Sequence, residues 1–337
     1  MDYVGDDRRD SVYQTNSRPY YNIWTYGGND YVSLTLIDTF VKTGTGSDTV
    51  VSKVEGWNEI DLGEGGDTYI GTGFSTRGNR YDIVSGGWGF DKFTVETSHS
   101  EYYGDGGNDT FNTTGYNNYF DGGDGVDTIS YKIQDNDIYL RGKGVLVDLS
   151  GHYATTGAAR EEEIWNVENV GGTSYADTLT GDSVANTLTG YAGNDKLDGL
   201  GGMDVLNGGD GKDDLYGGDG NDKLIGGKGN DLLWGQGDAD TFVFQTLQDS
   251  VTGSQRDVIK DFSRAQGDLI DLSGIDAING GGDDEFTFIG NQAFSGDAGE
   301  LRFANGILSG DTNGDGTADF SIRVNNMTSM NSGDFIL

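Results

Sequence analysis

Apolar side chains in the middle of this chain arrive singly and at a fixed interval. From Gly172 to Val243 the sequence divides without a gap into eight nine-residue units, whose eighth position reads Leu179, Leu188, Leu197, Leu206, Leu215, Leu224, Leu233 and Phe242. One inward residue between two outward ones makes a three-residue strand. The other six residues of each unit are glycine-rich and make a turn. Two units then complete a coil of eighteen residues, and coils stack at about the 4.8 Å strand spacing. A period of this kind governs the whole fold. The expectation is an all-β protein, a parallel β-roll of 18-residue coils closed by a small strand-rich C-terminal cap.

The polar positions keep the same period. The sixth position reads Asp177, Asn186, Asp195, Asp204, Asp213, Asp222, Asp231 and Asp240. Glycines open the units, as at Gly190, Gly199, Gly208, Gly217 and Gly226, and recur at the fourth position, as at Gly193, Gly211, Gly220 and Gly229. Such glycines allow positive φ and close backbone approach, so the carbonyls of a turn converge. Turns on one side of a roll come from alternate units. That predicts one column of Asp177, Asp195, Asp213 and Asp231 and a second of Asn186, Asp204, Asp222 and Asp240, with cations between successive members. Carboxylate and carbonyl oxygens in flexible geometry suit Ca²⁺ better than Mg²⁺, which demands tight octahedral packing. Without a divalent ion, carboxylates stacked about 5 Å apart repel by roughly 0.8 kcal/mol per pair even in water, so the stack is expected to open.

The best units, such as Gly217-Gly218-Asp219-Gly220-Asn221-Asp222-Lys223-Leu224-Ile225, match G-G-x-G-x-D-x-U-x throughout. The chain resembles the RTX family of secreted bacterial proteins, which carry this calcium-binding repeat. The resemblance implies multiple bound Ca²⁺ ions and folding on meeting extracellular calcium. It also implies export by a type I secretion apparatus that reads an uncleaved C-terminal signal.

A looser series precedes the tandem one. Asp30, Asp48, Asp67, Asp91, Asp109 and Asp127 each follow a glycine-rich turn, at separations of 18, 19, 24, 18 and 18 residues. One coil per Asp places calcium-type turns on one side only. The other half-coil keeps a strand without the glycines, at Asn58-Glu59-Ile60, Asp82-Ile83-Val84, Ser100-Glu101-Tyr102 and Asn118-Tyr119-Phe120. The interval of 24 implies a surface insertion around Gly71 to Arg80. Tyr102, Phe120 and Phe93 fall at inward positions and are expected to thicken the core, whereas Trp88 lies within a turn and is expected to be exposed. Residues 131–171 leave the period as a strand-rich interruption, with Val145–Leu149 and Ile164–Val170 reading as strands, which keeps one continuous roll.

After Phe244 the period stops. The alternation at Arg256–Phe262 and Asp268–Leu272 suggests short strands, and the stretch resembles the C-terminal cap of serralysin-type proteins. An uncapped stack would expose unpaired backbone groups. The terminal Asp334-Phe335-Ile336-Leu337 reads as a secretion signal, a last strand, or both. Asp311, Asn313 and Asp315 form the first half of an EF-hand-like loop, with Thr317 and Asp319 also suitably placed, but Ile322 stands where the bidentate Glu belongs. The segment is an incomplete calcium loop or a polar hairpin turn. The divisions expected are thus a cap or lead-in over 1–24, the looser roll over 25–130, the interruption over 131–171, the tandem roll over 172–243, and the cap with its signal over 244–337.

Composition then excludes most other functions. Fifty-nine glycines with a single proline in 337 residues cannot make collagen. Fifty-six acidic residues against 21 basic ones leave a formal charge of −35, which repels nucleic acid and anionic membranes. No run approaches the roughly 18 apolar residues of a membrane span, so a soluble protein is expected. The absence of cysteine removes disulfides and thiolate chemistry. Met1 to Asp7 has neither a basic start nor an apolar segment, so no Sec signal peptide is expected. His99 and His152 are the only histidines, and neither lies in H-E-x-x-H. Gly73-Phe74-Ser75-Thr76-Arg77-Gly78 misses the G-x-S-x-G spacing of a lipase. The only proline, Pro19, is not in an epimerase D-P-H motif. The favoured expectation is a secreted, extracellular, non-catalytic calcium-binding protein of matrix, adhesion or polysaccharide-binding type. The alternative is a polysaccharide lyase or epimerase-like enzyme in the aromatic N-terminal roll, with His99 as base and Tyr102 or Tyr103 as acid.

Overall fold

The computed structural model describes residues 1–54, 56–73, 81–114, 117–137, 142–156, 161–278, 280 and 284–337. The described secondary structure is β throughout, apart from three short 3₁₀ segments. The chain forms two compact units, Met1–Thr173 and Ser174–Leu337.

In the second unit the nine-residue units alternate between two parallel sheets. One holds Thr178–Thr180, Lys196–Asp198, Asp214–Gly218 and Leu232–Gln236, with Leu179, Leu197, Leu215 and Leu233 in register. The other holds Thr187–Thr189, Val205–Gly211, Lys223–Gly229 and Thr241–Val243, with Leu188, Leu206, Leu224 and Phe242 in register. Every pairing is 18 residues apart, and all eight position-eight side chains are completely buried. Each strand contributes one inward apolar side chain at position eight, and the longer strands, such as Val205–Gly211 and Lys223–Gly229, run on into glycine.

The cap continues both sheets. Val258–Ile259 pairs with Leu232–Gln236 and then with Phe320–Val324, the last strand of an antiparallel meander through Glu300–Ala304 and Ile307–Asp311. Leu269–Asp271 pairs with Thr241–Val243 and then with Phe335–Ile336. The terminal residues are therefore a strand. Arg264 holds the turn before it with two hydrogen bonds of 2.6 Å to the buried Asp334 carboxylate.

The first unit repeats the plan with longer and less regular coils. Registers along both of its sheets step by 18, 19, 24, 18 and 18 residues from the coil at Asn22 and Tyr31 onward. The interval of 24 therefore leaves the pairing intact, while residues 74–80 of the expected insertion lie outside the described residues. Residues 2–4 and 11–13 already pair as a coil, with 22–24 and 31–33. The inward line runs through Val50, Tyr69, Phe93, Phe111 and Ile129 on one side and Ile60, Val84, Tyr102 and Phe120 on the other, all buried. Phe93 stacks on Phe111 at 4.8 Å and Tyr102 on Phe120 at 5.4 Å. Trp88 is 71% exposed.

The interruption differs from expectation at one point. Val145–Asp148 is a strand, but Ile164–Val170 is not a single one. Glu161–Trp165 and Asn169–Gly171 belong to different sheets, and the chain turns between them at Asn166, whose φ is 50°. Asn accepts the left-handed conformation more readily than most residues. Val145–Asp148, Tyr153–Thr156 and Glu161–Trp165 form an antiparallel meander that joins the parallel sheet at Tyr119–Asp121.

Candidate metal centre

The position-six side chains form two columns in the second unit. The backbone N–H of each donates to Oδ1 of the residue 18 positions on: Asp177 to Asp195, Asp195 to Asp213 and Asp213 to Asp231 in one column, Asn186 to Asp204, Asp204 to Asp222 and Asp222 to Asp240 in the other, at 2.7–3.0 Å. That bond occupies one carboxylate oxygen. The second, Oδ2 of Asp204, Asp213, Asp222, Asp231 and Asp240, is buried with no hydrogen-bond donor among the described residues. A buried carboxylate oxygen left so is costly unless a cation balances it.

The opening glycines show what faces that oxygen. A Cβ placed on Gly199 would overlap both Asp204 Oδ2 and the Gly217 carbonyl of the next coil. Gly190 stands in the same relation to Asp195 and the Gly208 carbonyl, and Gly217 to Asp222 and the Gly235 carbonyl. Gly208 and Gly226 face Asp213 and Asp231. A carboxylate oxygen and a main-chain oxygen thus converge at the Gly190, Gly199 and Gly217 turns. Gly193, Gly211 and Gly220 hold positive φ values of 139°, 155° and 126°, and Gly229 packs on the Gly211 carbonyl. Among the described residues no three His, Cys, Asp or Glu side chains gather closely enough to hold a metal unaided. A cation here would complete its shell from main-chain carbonyls, a donor set that fits Ca²⁺.

The electrostatics match. Burial raises the Asp204, Asp213 and Asp231 carboxyls to about 7, Asp222 to about 6 and Asp240 to about 8, with neighbouring carboxylates adding to the shift and the N–H donors opposing it. Among the described residues no Lys or Arg pairs with these five.

The first unit carries one such column. Asp30, Asp48, Asp67, Asp91, Asp109 and Asp127 are linked through the same N–H to Oδ1 bonds at 2.7–2.8 Å, and among the described residues Oδ2 of Asp30, Asp67, Asp91, Asp109 and Asp127 is buried without a donor. Burial raises Asp67 and Asp109 to about 7 and Asp91 and Asp127 to about 6. The opposite side has a mostly neutral column. Thr39 donates to Asn58, Asn58 to Asp82, Asp82 to Ser100 and Ser100 to Asn118, at 3.0–3.1 Å.

Four residues that extend the columns are absent from the sequence-based set. The Asp231 N–H donates to Asp257 at 2.8 Å and the Asp240 N–H to Asp268 at 3.2 Å, which carries both columns into the cap. Burial raises Asp257 to about 9. In the first unit Asp10 donates to Asp30, and Asp127 to Glu168. Asp257-Val258-Ile259 and Asp268-Leu269-Ile270 do keep the Asp-x-apolar signal, but at 26 and 28 residues from the preceding Asp and without a glycine turn.

The loop at Asp311, Asn313 and Asp315 is a hairpin turn between antiparallel strands. Asp311 accepts from the N–H groups of Gly314 and Gly316 at 2.7 and 2.9 Å, Asn313 from Asp315, and Asp315 from Thr317, while Asp319 accepts from Thr312. Its own donors already engage its carboxylates.

Stacked glycine turns on two facing parallel sheets define a β-roll of the RTX type. A family model described as peptidase M10 serralysin C terminal matches residues 119–337, and the chain belongs to that family. No curated protein matches it by sequence. Among solved structures, the AlgE6R3 subunit of the Azotobacter vinelandii mannuronan C5-epimerase is similar at 22% identity, covering 48% of this chain and 78% of that one, with a TM-score of 0.28.

Proposed function

We propose that this chain is a secreted calcium-binding protein that folds when Ca²⁺ enters its aspartate columns, and that it acts outside the cell as a non-catalytic matrix, adhesion or polysaccharide-binding protein. The buried, donorless Oδ2 atoms of Asp204, Asp213, Asp222, Asp231 and Asp240 carry this reading. Asp Oδ2 and the position-one carbonyls would hold the ion, and Ca²⁺ would supply the positive charge that those columns lack. Binding to the folded state alone stabilises it by mass action. At cytosolic calcium the chain would remain open, which suits passage through a type I secretion channel. Serralysin-C membership supports export by that route. Among the described residues no helix is long and apolar enough to cross a membrane.

Circular dichroism during a calcium titration tests the reading. β-Structure and its melting temperature are expected to rise with calcium and to fall in chelator, and Asp204→Ala is expected to lower the calcium-dependent melting temperature. Unchanged melting in chelator overturns it.

The enzyme alternative draws on His99 and Tyr103 lining one cleft. His99 Nε2 has Asn117 Nδ2 at 3.5 Å, and no carboxylate of the described residues orients the ring as a base requires. Incubation with oligosaccharides discriminates the two readings, since new ultraviolet-absorbing unsaturated ends would establish a lyase.

A further inference from the structure

The sheet of the first unit whose strands follow the mostly neutral column presents an ordered outer surface. Tyr102, Phe120 and Ile164 point inward from Glu101–Gly106, Tyr119–Asp121 and Glu161–Trp165, so the residues on either side of them face out. Register across these strands and the adjoining meander sets Glu101, Tyr119, Glu163, Tyr153 and Asp148 side by side in one row. Acid and aromatic alternate strictly along it. The next row out, Tyr103, Asp121 and Trp165, has the opposite phase. The surface is therefore a checkerboard of carboxylates and rings.

A cleft of about 930 Å³ opens over Glu101, Tyr119, Glu163 and Tyr153 of the first row, and a second of about 400 Å³ runs from Tyr103 past Asp121 and Asn166 to Asp105 and Asp124. The rings are pinned. The Tyr103 hydroxyl donates to Glu101 at 3.0 Å and the Tyr119 hydroxyl to Asp121 at 3.4 Å, while the two rings lie 5.6 Å apart. His152 stacks on Trp165 at 4.0 Å. Among the described residues no lysine or arginine lines either cleft, and none pairs with Glu101, Glu163 or Asp121.

Each element of this pattern restricts the occupant. Strands lie about 4.8 Å apart, close to the length of one pyranose ring in an extended glycan. A chain laid across the strands would meet a ring face and a carboxylate alternately, one per sugar. Tyrosine faces pack on sugar C–H surfaces and attract cations. Carboxylates without a basic partner repel uronate, sulfate and phosphate groups and draw in ammonium groups.

We propose that this checkerboard cleft binds an extended polysaccharide whose pyranose units carry protonated amino groups. The proposal deepens the polysaccharide-binding part of the function proposed above, and it rests on that reading. The first cleft lies where these strands follow the mostly neutral column, and the second reaches Asp105, Gly123 and Asp124 of the calcium-type turns.

The test uses the full chain in calcium, after circular dichroism has established β-structure, with calorimetric titration of N-deacetylated β-1,4-glucosamine hexamer. Binding is expected, and it should weaken with added salt. Tyr119→Ala is expected to weaken it about tenfold and Glu163→Gln about fivefold. Both side chains face outward, so calcium-dependent melting should be unchanged in both variants. Equal binding of the fully N-acetylated hexamer would remove the charge requirement and overturn the proposal. Equal binding of hexalysine would remove the sugar, and preferred binding of an oligouronate would reverse the sign; either also overturns it. A chain that folds with calcium yet binds no amino-glycan leaves the calcium reading standing and defeats this one. A chain that does not fold with calcium defeats the calcium reading first.

Discussion

The two oxygens of a position-six aspartate have different tasks. Asp222 Oδ1 accepts the Asp204 N–H at 2.8 Å, while Oδ2 faces the point where the Gly235 carbonyl also converges. Asp222→Asn keeps the first contact and replaces the second with a neutral amide able to donate to that carbonyl. It is expected to stabilise the fold in chelator and to destabilise it in saturating calcium, by about 1–3 kcal/mol in each direction. Thermal denaturation under the two conditions checks the pair of signs, and a shift of the same sign in both would contradict the division of tasks. Glycine requirements are equally local. At position two, Tyr191, Leu200 and Gln236 adopt φ near 70°, an ordinary left-handed conformation that a side chain enters at about 1–2 kcal/mol. Gly220 at position four has φ 126°, and a Cβ there would strike the Gly202 carbonyl. Gly220→Ala is therefore expected to cost at least about 2 kcal/mol and to raise the calcium concentration at half-folding in a dichroism titration.

Carboxylates stacked into columns behave as elements. In the folded chain Asp204, Asp213 and Asp231 titrate at about 7 and Asp240 at about 8, against about 3.9 for Asp in an unfolded chain. Between those limits the folded state holds protons that the unfolded state has released. The stabilising contribution is thus complete below pH 4 and is lost as pH rises through 6 to 8. In chelator the chain is expected to be more folded at pH 5 than at pH 8, by melting temperature. In calcium the order reverses, because protons compete for the same oxygens. A calcium-free chain more stable at pH 8 would contradict the raised carboxyls. The columns and strands were legible in the sequence because the nine-residue interval was constant, so Leu197 and Asp195 determine Leu215 and Asp213. Asp257 and Asp268 were not, because the chain takes 26 and 28 residues to return to the column and local turn chemistry no longer marks the position. The Glu101–Tyr119–Glu163–Tyr153 row was hidden for a related reason. It depends on a 44-residue step from Tyr119 to Glu163 and on an antiparallel pairing that no period encodes. Nor could the pattern show that Ile164 and Val170 lie in opposite sheets, since the break rests on the single backbone angle at Asn166.

On the scale of the whole molecule, the charge of −35 is distributed unequally with respect to the core that opposes it. The second unit sets aspartate columns on both sides of a core with one Leu per strand, the last being Phe242. The first unit has carboxylates down one side and the Asn58, Asp82, Ser100 and Asn118 column down the other, and its core includes Tyr69, Phe93, Tyr102, Phe111 and Phe120. A buried aromatic ring removes about 150–250 Å² from water, worth roughly 4–6 kcal/mol at 25 cal/mol per Å² against about 2–3 for a Leu. Less repulsion and more buried surface per coil are both expected to make the first unit less dependent on calcium. Hydrogen exchange followed by mass spectrometry during stepwise chelation should resolve the difference. As free calcium falls, the amides of strands containing Leu197, Leu206, Leu215 and Leu224 are expected to lose protection first. Those containing Phe93, Tyr102, Phe111 and Phe120 should remain protected to lower calcium. Simultaneous loss, or the opposite order, would mean that column charge and core thickness do not determine how much each unit needs the ion.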